Sequence, residues 1–309
     1  MKKLSIVVPV YFNELSLPEL YVTLQDLEIK LLELSIELEV ICVDDGSGDN
    51  SYEKLLEIKA KRPATKIIKH TRNFGAFHAY RTGRKFVTGD CFLFLAADLQ
   101  DPPELIPMMA KKWLEGSKYI ICVRADRHDP IFSRIFAKVY YILLGFIVAG
   151  DYPRGGYDLA LMDKCLMPYL DKSAKNINPT LFQFWLGFKP EVIPYIRQER
   201  RHGKSRWTFS KKFKLMLDSL LGFSFFPIRF ISGVGITVSL VSFLYGIWII
   251  ANALLGNFDV KGFAALATII SFLLGLIIIM LGIIGEYIWR IYDEVNGRPE
   301  AVIEETYLD

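Results

Sequence analysis

The sequence contains few cysteines, and none of them lie close together. The four cysteines, at positions 42, 91, 122 and 165, lack the Cys-x-x-Cys spacing typical of metal or redox sites. This excludes a small disulfide-stabilised scaffold and favours buried, reduced thiols. The four histidines are also scattered and are expected to be packing or surface residues. Hydrophobic residues make up 52% of the chain and charged residues 23%, which excludes disorder, collagen and coiled coil.

Charged residues are absent from two long stretches, residues 230–258 and residues 262–285. Each stretch exceeds the roughly 20 apolar residues that a helix needs to cross a bilayer. A short polar turn separates them, so the pair predicts a transmembrane hairpin rather than two buried helices of a large soluble core. Basic residues flank the hairpin, and only Lys261 lies in the loop between its helices. Because basic flanks stay in the cytoplasm, we expect a multi-pass protein of the inner or plasma membrane with a cytoplasmic N-terminal domain and cytoplasmic termini.

Two other segments, residues 131–149 and residues 209–226, have the amphipathic pattern of helices that lie at a membrane surface. Each could instead pack on a soluble core. The apolar run at the N-terminus is too short for a signal peptide and predicts a first strand. We therefore divide the chain into a cytoplasmic domain at 1–208, an amphipathic juxtamembrane helix at 209–227, two transmembrane helices at 228–290 and a cytoplasmic tail at 291–309.

The N-terminal part alternates between short apolar runs and helical patterns. Strands are predicted at residues 4–10, 39–43, 66–69, 91–97 and 119–123, and helices at 18–38, 51–61, 74–87 and 103–116. Such alternation, with strands that are apolar throughout, predicts an α/β fold whose mostly parallel sheet is covered by helices on both faces. Ligands of these sheets bind beyond the carboxyl ends of the strands. The residues directly after each strand are therefore the candidate site.

Acidic residues come after three of the predicted strands, in the segments Asn13-Glu14, Asp44-Asp45 and Asp98-Leu99-Gln100-Asp101. No Gly-x-Gly-x-x-Gly comes after the first strand, which argues against a dinucleotide site. Carboxylates at these places favour a divalent cation that binds the phosphates of a substrate. Asp98 and Gln100 offer two hard oxygen ligands, which suit Mg²⁺ or Mn²⁺ shared with a diphosphate.

Four motifs in the first 104 residues occur in a characteristic order. They are Pro9-Val10-Tyr11-Phe12-Asn13-Glu14, Asp44-Asp45-Gly46-Ser47-Gly48-Asp49, Arg72-Asn73-Phe74-Gly75 and Asp98-Leu99-Gln100-Asp101-Pro102-Pro103-Glu104. Together they resemble the signature of family-2 inverting glycosyltransferases, and more narrowly of polyprenyl-phosphate hexosyltransferases. The resemblance covers essentially the whole chain, since bacterial members also carry two C-terminal transmembrane helices. It implies a GT-A-like, Rossmann-type domain that binds a UDP- or GDP-sugar.

The resemblance also implies roles for single residues at the donor end. The nucleoside is held by Pro9, Tyr11, Glu14 and Asp45. The catalytic metal on the diphosphate is held by Asp98 and Gln100. Two positions depart from the family pattern. Ala96 stands where the family usually has a further aspartate, which leaves the cation with fewer protein ligands, and Phe12 is inserted before Asn13, which shifts the nucleoside contacts.

A basic segment precedes the first apolar run. Residues 200–214 contain seven basic residues and no acidic one, and the lysines suit anionic lipid headgroups. The resemblance implies that this segment closes over the diphosphate near the lipid phosphate, through Arg201, Lys204, Ser205 and Arg206. Candidates for binding the acceptor phosphate are Arg124 and Arg134. The candidate catalytic residues are Asp98 and Asp158. Asp158 orients the acceptor or accepts its proton, and a simple turn carboxylate is the alternative interpretation of this residue.

These features predict inverting transfer of a hexose from a nucleotide sugar to undecaprenyl or dolichyl phosphate. UDP-glucose is the favoured donor through the resemblance alone, which is also compatible with a homo-oligomer. A phosphate monoester is mostly dianionic at pH 7, with a second pKa near ~6, so no strong general base is needed. Two alternatives stay open: a processive polysaccharide synthase, because of Arg206-Trp207, and a non-catalytic membrane scaffold, because of Ala96. A net charge of +3 gives no indication of a nucleic-acid partner.

Overall fold

The computed structural model describes residues 1–125, 152–153, 156–196, 209–255 and 262–308. The chain forms two compact units, Met1–Met216 together with Pro299–Asp309, and Leu217–Arg298. The sequence pattern predicted a separate tail at residues 291–309. In the structure Pro299–Asp309 belongs to the first unit, because a strand in this segment joins the sheet of that unit.

Among the described residues, the first unit contains eight strands in one sheet. The strands are β1 (Lys2–Val10), β2 (Ile36–Asp44), β3 (Lys66–His70), β4 (Cys91–Phe94), β5 (Tyr119–Arg124), β6 (Leu159–Asp163), β7 (Glu191–Tyr195) and β8 (Ile303–Tyr307). Its helices are α1 (Leu17–Glu33), α2 (Ser51–Lys61), α3 (Ala76–Arg84), α4 (Leu105–Leu114), α5 (Met167–Leu170) and α6 (Pro179–Trp185), with a 3-10 turn at Lys164–Leu166.

The sheet has the order β7-β5-β6-β4-β1-β2-β3-β8 and is mostly parallel. β1 pairs in parallel with β2 and β4, β2 with β3, and β5 with β7. β6 runs antiparallel to both of its neighbours, β4 and β5, and β8 runs antiparallel to β3. The carboxyl ends of six strands therefore meet at one edge, which we call the carboxyl edge. Because β6 runs the opposite way, the residue that precedes it also lies at this edge.

The strands of this sheet are apolar on both sides because a hydrophobic core covers each face of the sheet. Along β1, Leu4, Ile6 and Val8 belong to one core cluster, whereas Val7 belongs to the cluster on the opposite face. Helix α1 buries five leucines at spacings of three and four residues, at positions 17, 20, 24, 27 and 31. Each buried leucine contributes roughly 1.5–3 kcal/mol by leaving water. The amphipathic pattern of α1 thus fixes the helix against the sheet that carries the candidate site.

The predicted boundary between the first helix and the second strand was wrong. The helix was expected to continue to Leu38, but α1 ends at Glu33 and β2 begins at Ile36. Ser35, with a φ of 58°, turns the chain between them. Ile36 and Leu38 are buried while Glu37 is exposed, so these residues alternate with the period of two that a strand requires. β4 also ends at Phe94, three residues earlier than predicted.

The second unit consists largely of long apolar helices. Helix α7 (Phe209–Phe223) includes the boundary between the units, which falls after Met216. The second unit contains α8 (Phe226–Leu254) and α9 (Phe263–Val295). By length and composition, Phe226–Ile249 and Phe272–Val295 can each cross a membrane. Many of their large side chains are exposed, including Phe243 at 67% and Ile278 at 68%, unlike those of helices in a soluble core.

Within this second unit, ion pairs and hydrogen bonds join α9 to the residues before α8. The Arg290 guanidinium lies 2.6 Å from a carboxylate oxygen of Asp218, and the Tyr287 hydroxyl donates to the carbonyl of Ser224 at 3.2 Å. α7 coincides with most of the amphipathic segment predicted at residues 209–227. The other predicted interfacial segment, residues 131–149, lies outside the described residues.

Candidate functional site

The loops at the carboxyl edge are tied to one another. The Phe12 N–H donates to the Ser47 hydroxyl at 3.1 Å, and the Asn13 N–H donates to the Ser51 hydroxyl at 2.7 Å. Glu14 accepts a hydrogen bond from the Asn50 N–H at 3.0 Å. The loop after β1 is therefore held against the loop after β2 and the start of α2. The topology brings these motifs together as the sequence led us to expect.

Asp45 holds the loop after β3. Its carboxylate accepts hydrogen bonds from the N–H groups of Phe74, at 2.9 Å, and Gly75, at 2.7 Å. The Nδ1 atom of the buried His70 lies 2.9 Å from Asp45 Oδ1, and the His70 Nε2 atom lies 3.0 Å from the Thr82 hydroxyl. Asp45 thus connects β2, β3 and α3 and sets the position of residues 71–75, which we call the donor loop.

The sequence pattern indicated Asp45 but not the part played by His70. The signal was its position, because His70 ends β3 directly before the motif Arg72-Asn73-Phe74-Gly75. A histidine at the carboxyl end of a parallel strand faces the same edge as the acidic loops. His70 is far from the other histidines in sequence. This spacing argued against a histidine metal cluster, but it said nothing about a hydrogen bond to a carboxylate.

Asp44 is a second buried carboxylate, for which the sequence pattern predicted no role. Its Oδ2 atom accepts from the Ser47 N–H at 3.2 Å, while Oδ1 has no hydrogen-bond partner among the described residues. Burial raises the pKa of Asp44, although the hydrogen bonds from Ser47 oppose this shift. Because Asp44 is fully buried, it supports the loop after β2 from beneath and does not lie at the surface of this edge.

Gly46 allows the second and third loops to approach each other closely. Its φ is +68°, and a Cβ atom built there would lie 2.5 Å from the carbonyl carbon of Arg72. Only glycine combines this backbone conformation with so close an approach. The donor loop therefore packs directly on the backbone just beyond β2.

Aromatic side chains lie at the same edge. Phe12 has a φ of 56° and is 41% exposed, and its ring packs edge-on against Tyr11 with the centroids 4.7 Å apart. The Arg72 guanidinium lies over the Phe74 ring, 4.2 Å from its centroid. Phe12 itself thus adopts a left-handed backbone conformation, and its ring leaves an aromatic face at the surface. Such a face, beside the half-buried Pro9, Tyr11 and Glu14, suits a flat heterocycle.

The segment after β4 carries the predicted metal ligands. Leu99 has a φ of 51°, and the Gln100 N–H donates to the Asp98 carboxylate at 3.4 Å. Within the described ranges, no group of three or more His, Cys, Asp or Glu side chains is arranged to hold a metal. Two oxygen donors from the protein still fit Mg²⁺ or Mn²⁺, because such ions take several ligands from substrate phosphates and water. Asp98 and Gln100 fit a cation held jointly with a diphosphate.

Asp158, Arg124, Tyr195 and Asp101 form a hydrogen-bonded group at this edge. Arg124 donates from Nε at 2.5 Å and from a terminal nitrogen at 2.6 Å to the two oxygens of Asp158. The Tyr195 hydroxyl lies 2.6 Å from Asp158 Oδ2 and 2.8 Å from Asp101 Oδ1. Three elements meet here, because Arg124 ends β5, Tyr195 ends β7 and Asp158 precedes β6.

Two of the predicted functional residues therefore contact each other. Although burial opposes the charge, hydrogen bonds to Asp158 raise the pKa of Arg124 above its ordinary value. Burial and the nearby carboxylates of Asp101 and Asp158 raise the pKa of Tyr195, so its hydroxyl keeps its proton. Tyr195 was not foreseen, because β7 was not predicted from the sequence.

Five residues of the predicted phosphate-binding set lie outside the described residues. They are Arg134, Arg201, Lys204, Ser205 and Arg206. Their roles stay predictions. The described part of the carboxyl edge combines aromatic faces, buried carboxylates and two oxygen ligands, an arrangement suited to a nucleoside diphosphate.

Comparison with known proteins finds a matching family model and relatives that are similar over nearly the whole chain. The family model described as "Glycosyl transferase family 2" matches residues 5–153. An uncharacterized glycosyltransferase, YkcC of Bacillus subtilis, is 36% identical over 98% of this chain and 94% of its own length. The SfII prophage-derived bactoprenol glucosyl transferase of Shigella flexneri is 32% identical over 99% of this chain and 98% of its own.

Among solved structures, the mannosyltransferase PcManGT from Pyrobaculum calidifontis in complex with GDP-Man and Mn²⁺ is similar. It matches with a TM-score of 0.45 and 18% identity over 64% of this chain and 57% of its own. The chain is a glycosyltransferase with a mostly parallel sheet and two apolar C-terminal helices. It belongs to glycosyl transferase family 2.

Proposed function

We propose that this protein transfers a hexose from a nucleoside diphosphate sugar to a polyprenyl phosphate, with UDP-glucose as the first donor to test. The observation that carries this proposal is the similarity to a bactoprenol glucosyl transferase over 99% of the chain. That similarity includes both the carboxyl-edge site and the two apolar helices. Neither part alone would favour a lipid phosphate over a soluble acceptor.

The donor end of the site is formed by the loops after β1, β2 and β3. In this proposal the base lies against the Tyr11 and Phe12 rings, and the buried Asp45 contributes by holding residues 71–75 in place beside it. Asp98 and Gln100 would hold Mg²⁺ or Mn²⁺. When bound, the cation supplies positive charge to the diphosphate as it leaves. Asp98 and Gln100 are half-buried, which strengthens such charge interactions relative to those in water.

The acceptor end is formed by Asp158, Arg124 and Tyr195. An oxygen of the lipid phosphate attacks the anomeric carbon as the bond from that carbon to the diphosphate oxygen breaks, which inverts the configuration. The phosphate is already mostly dianionic, so the side chains mainly position it. Asp158 is held by two donors from Arg124 and one from Tyr195, which fixes its orientation toward the acceptor.

We propose that α8 and α9 cross the membrane and return the chain to the cytoplasm. Support comes from β8, which lies beyond α9 and pairs with β3 of the N-terminal unit. Both ends of the helical hairpin are thus connected to one folded unit, which suits entry and exit on the same side. Basic residues before α8 and after α9 favour the cytoplasmic side.

The test is transfer of labelled sugar by the full-length protein from a panel of UDP- and GDP-sugars to undecaprenyl phosphate with Mg²⁺ or Mn²⁺. One labelled sugar per lipid, extractable into organic solvent and absent with Asp98→Ala, supports the proposal and identifies the sugar. Long polymeric products would indicate a processive synthase instead. No transfer and no nucleotide binding would indicate a non-catalytic scaffold.

A further inference from the structure

The strand beside the donor loop comes from the far end of the chain. β8 pairs antiparallel with β3, with Ile68 opposite Thr306 and His70 opposite Ile303. The Thr71 N–H then donates to the Val302 carbonyl at 3.1 Å, so backbone pairing continues past β3 into the donor loop. The tail at Pro299–Asp309 thus forms the edge of the sheet where this loop begins.

Charged and polar side chains attach this tail, because few of its side chains are buried. Glu300 lies 2.9 Å from Arg81 and 3.9 Å from His78, both on α3. Glu304 lies 3.1 Å from Lys69, and Glu305 accepts from the Tyr52 hydroxyl at 2.6 Å. The Glu300 side chain is 22% exposed and that of Glu304 is 45% exposed, so the Glu300 contact is the better shielded from water.

The contacts of Glu300 lead directly to Asp45. Helix α3, which carries Arg81, begins immediately after Gly75, and the Gly75 N–H donates to Asp45. Thr82 on the same helix lies 3.0 Å from His70, which contacts Asp45 on its other side. The tail therefore borders the donor loop at its start, through Val302, and holds the helix that begins at its end, through Glu300.

We infer that the tail beyond the second apolar helix is a positioning element of the donor site, with Glu300 as its positioning residue. By fixing α3 and residues 71–75, it pre-organises the surface that binds a nucleoside diphosphate. This inference rests on the proposed function, because it concerns the same donor. It makes donor affinity depend on residues that lie more than 200 positions from the donor loop in sequence.

The test compares Glu300→Gln with Glu304→Gln in the full-length protein. Glu304 is the matched control, because it lies on the same tail and pairs with Lys69, away from α3. UDP and GDP are titrated by calorimetry, and steady-state transfer gives the donor KM and kcat. Glu300→Gln is expected to weaken nucleotide binding and raise the donor KM by about fivefold or more, a typical coupling between two sites. The kcat of Glu300→Gln at saturating donor stays within about twofold of wild type. For Glu304→Gln, the nucleotide affinity, the donor KM and kcat all stay within about twofold of wild type.

Hydrogen exchange of residues 71–75 provides a second readout that does not need activity, with faster exchange expected in Glu300→Gln. A thermal melt within a few degrees of wild type establishes that the variant is folded. If a folded Glu300→Gln variant binds nucleotide as tightly as the wild type and its residues 71–75 exchange at the wild-type rate, this inference is overturned while the proposed function stands. Failure of the wild type to bind either nucleotide overturns the proposed function and this inference with it.

Discussion

Replacing Gly46 by alanine is expected to destabilise the N-terminal unit through two separate effects. The residue has a φ of +68°, a left-handed conformation that costs an L-residue about 1–2 kcal/mol. The new Cβ would also lie 2.5 Å, 2.7 Å and 2.9 Å from backbone atoms of Arg72 and Asn73, which cannot rotate away. Overpacking of this kind costs about 1–3 kcal/mol. The sum, about 2–5 kcal/mol, lowers the melting temperature by about 4–20 °C for a unit of this size.

Gly48→Ala is the matched control, two residues away in the same loop. It has no positive φ, and its Cβ would meet only the end of the Phe12 ring, at 3.3 Å. Because a side chain can move by a few tenths of an ångström, we expect a loss below about 1 kcal/mol. Thermal unfolding of both purified variants, measured by circular dichroism, gives the difference. Equal melting temperatures for the two variants would refute the close approach of the two loops.

Three further substitutions test other parts of the site and its support. His70→Ala removes the ring partner of the buried Thr82 hydroxyl and, within the described residues, one of the three contacts of the Asp45 carboxylate, which keeps the N–H groups of Phe74 and Gly75. Thermal unfolding should therefore show a loss of about 1–3 kcal/mol, together with weaker UDP binding. Unchanged binding would contradict the role of His70. Tyr195→Phe removes the hydroxyl beside Asp158. We expect kcat to fall by about 10–150-fold, the equivalent of about 1.5–3 kcal/mol, while UDP binding is retained. An unchanged kcat would show that Tyr195 does not act at the acceptor site. Burial opposes ionisation of Glu39, but hydrogen bonds from Lys66, Ser5 and Thr88 more than offset it and hold its pKa below the usual 4.5. Ionised Glu39 therefore adds stability above pH 4.5 that is lost as the pH falls through its lowered pKa. Glu39→Gln should lower the free energy of unfolding at pH 7 by about 1–3 kcal/mol and make it less sensitive to acid. If the wild type and the variant lose stability in parallel from about pH 7 to about pH 3, this reasoning is wrong.

The parallel half of the sheet was predictable because its strands are apolar throughout and alternate with amphipathic helices. β1 to β5 and α1 to α4 all lie where the periodicity placed them, with shifts at their ends. β6, β7 and β8 were missed. β7 contains Pro194 and exposes Val192 at 50%, and β8 is mostly exposed, so neither has the apolar pattern of the central strands. Their pairing is decided by sheet neighbours that are distant in sequence.

The candidate site was predictable where it depends on the residues next to the ends of the strands. Asp45, Asp98, Arg124 and Asp158 reach the same edge because of strand direction alone. The contacts between them were not predictable, since Arg124 and Asp158 meet only through the antiparallel insertion of β6 beside β5. The pairing of Asp45 with His70 and the return of the tail to β3 likewise depend on the order of strands in the sheet. A local pattern carries no information about that order.

The measurement that tests the central claim most directly is transfer of labelled glucose from UDP-glucose by the full-length protein in liposomes, with and without undecaprenyl phosphate. The account predicts label in the lipid fraction only when undecaprenyl phosphate is present, and loss of that label with Asp98→Ala. Lipid-linked label that persists unchanged in Asp98→Ala would contradict the site described at the carboxyl edge. Nucleotide binding without any transfer to the lipid phosphate, from UDP-glucose or another UDP- or GDP-sugar, would contradict the proposed acceptor.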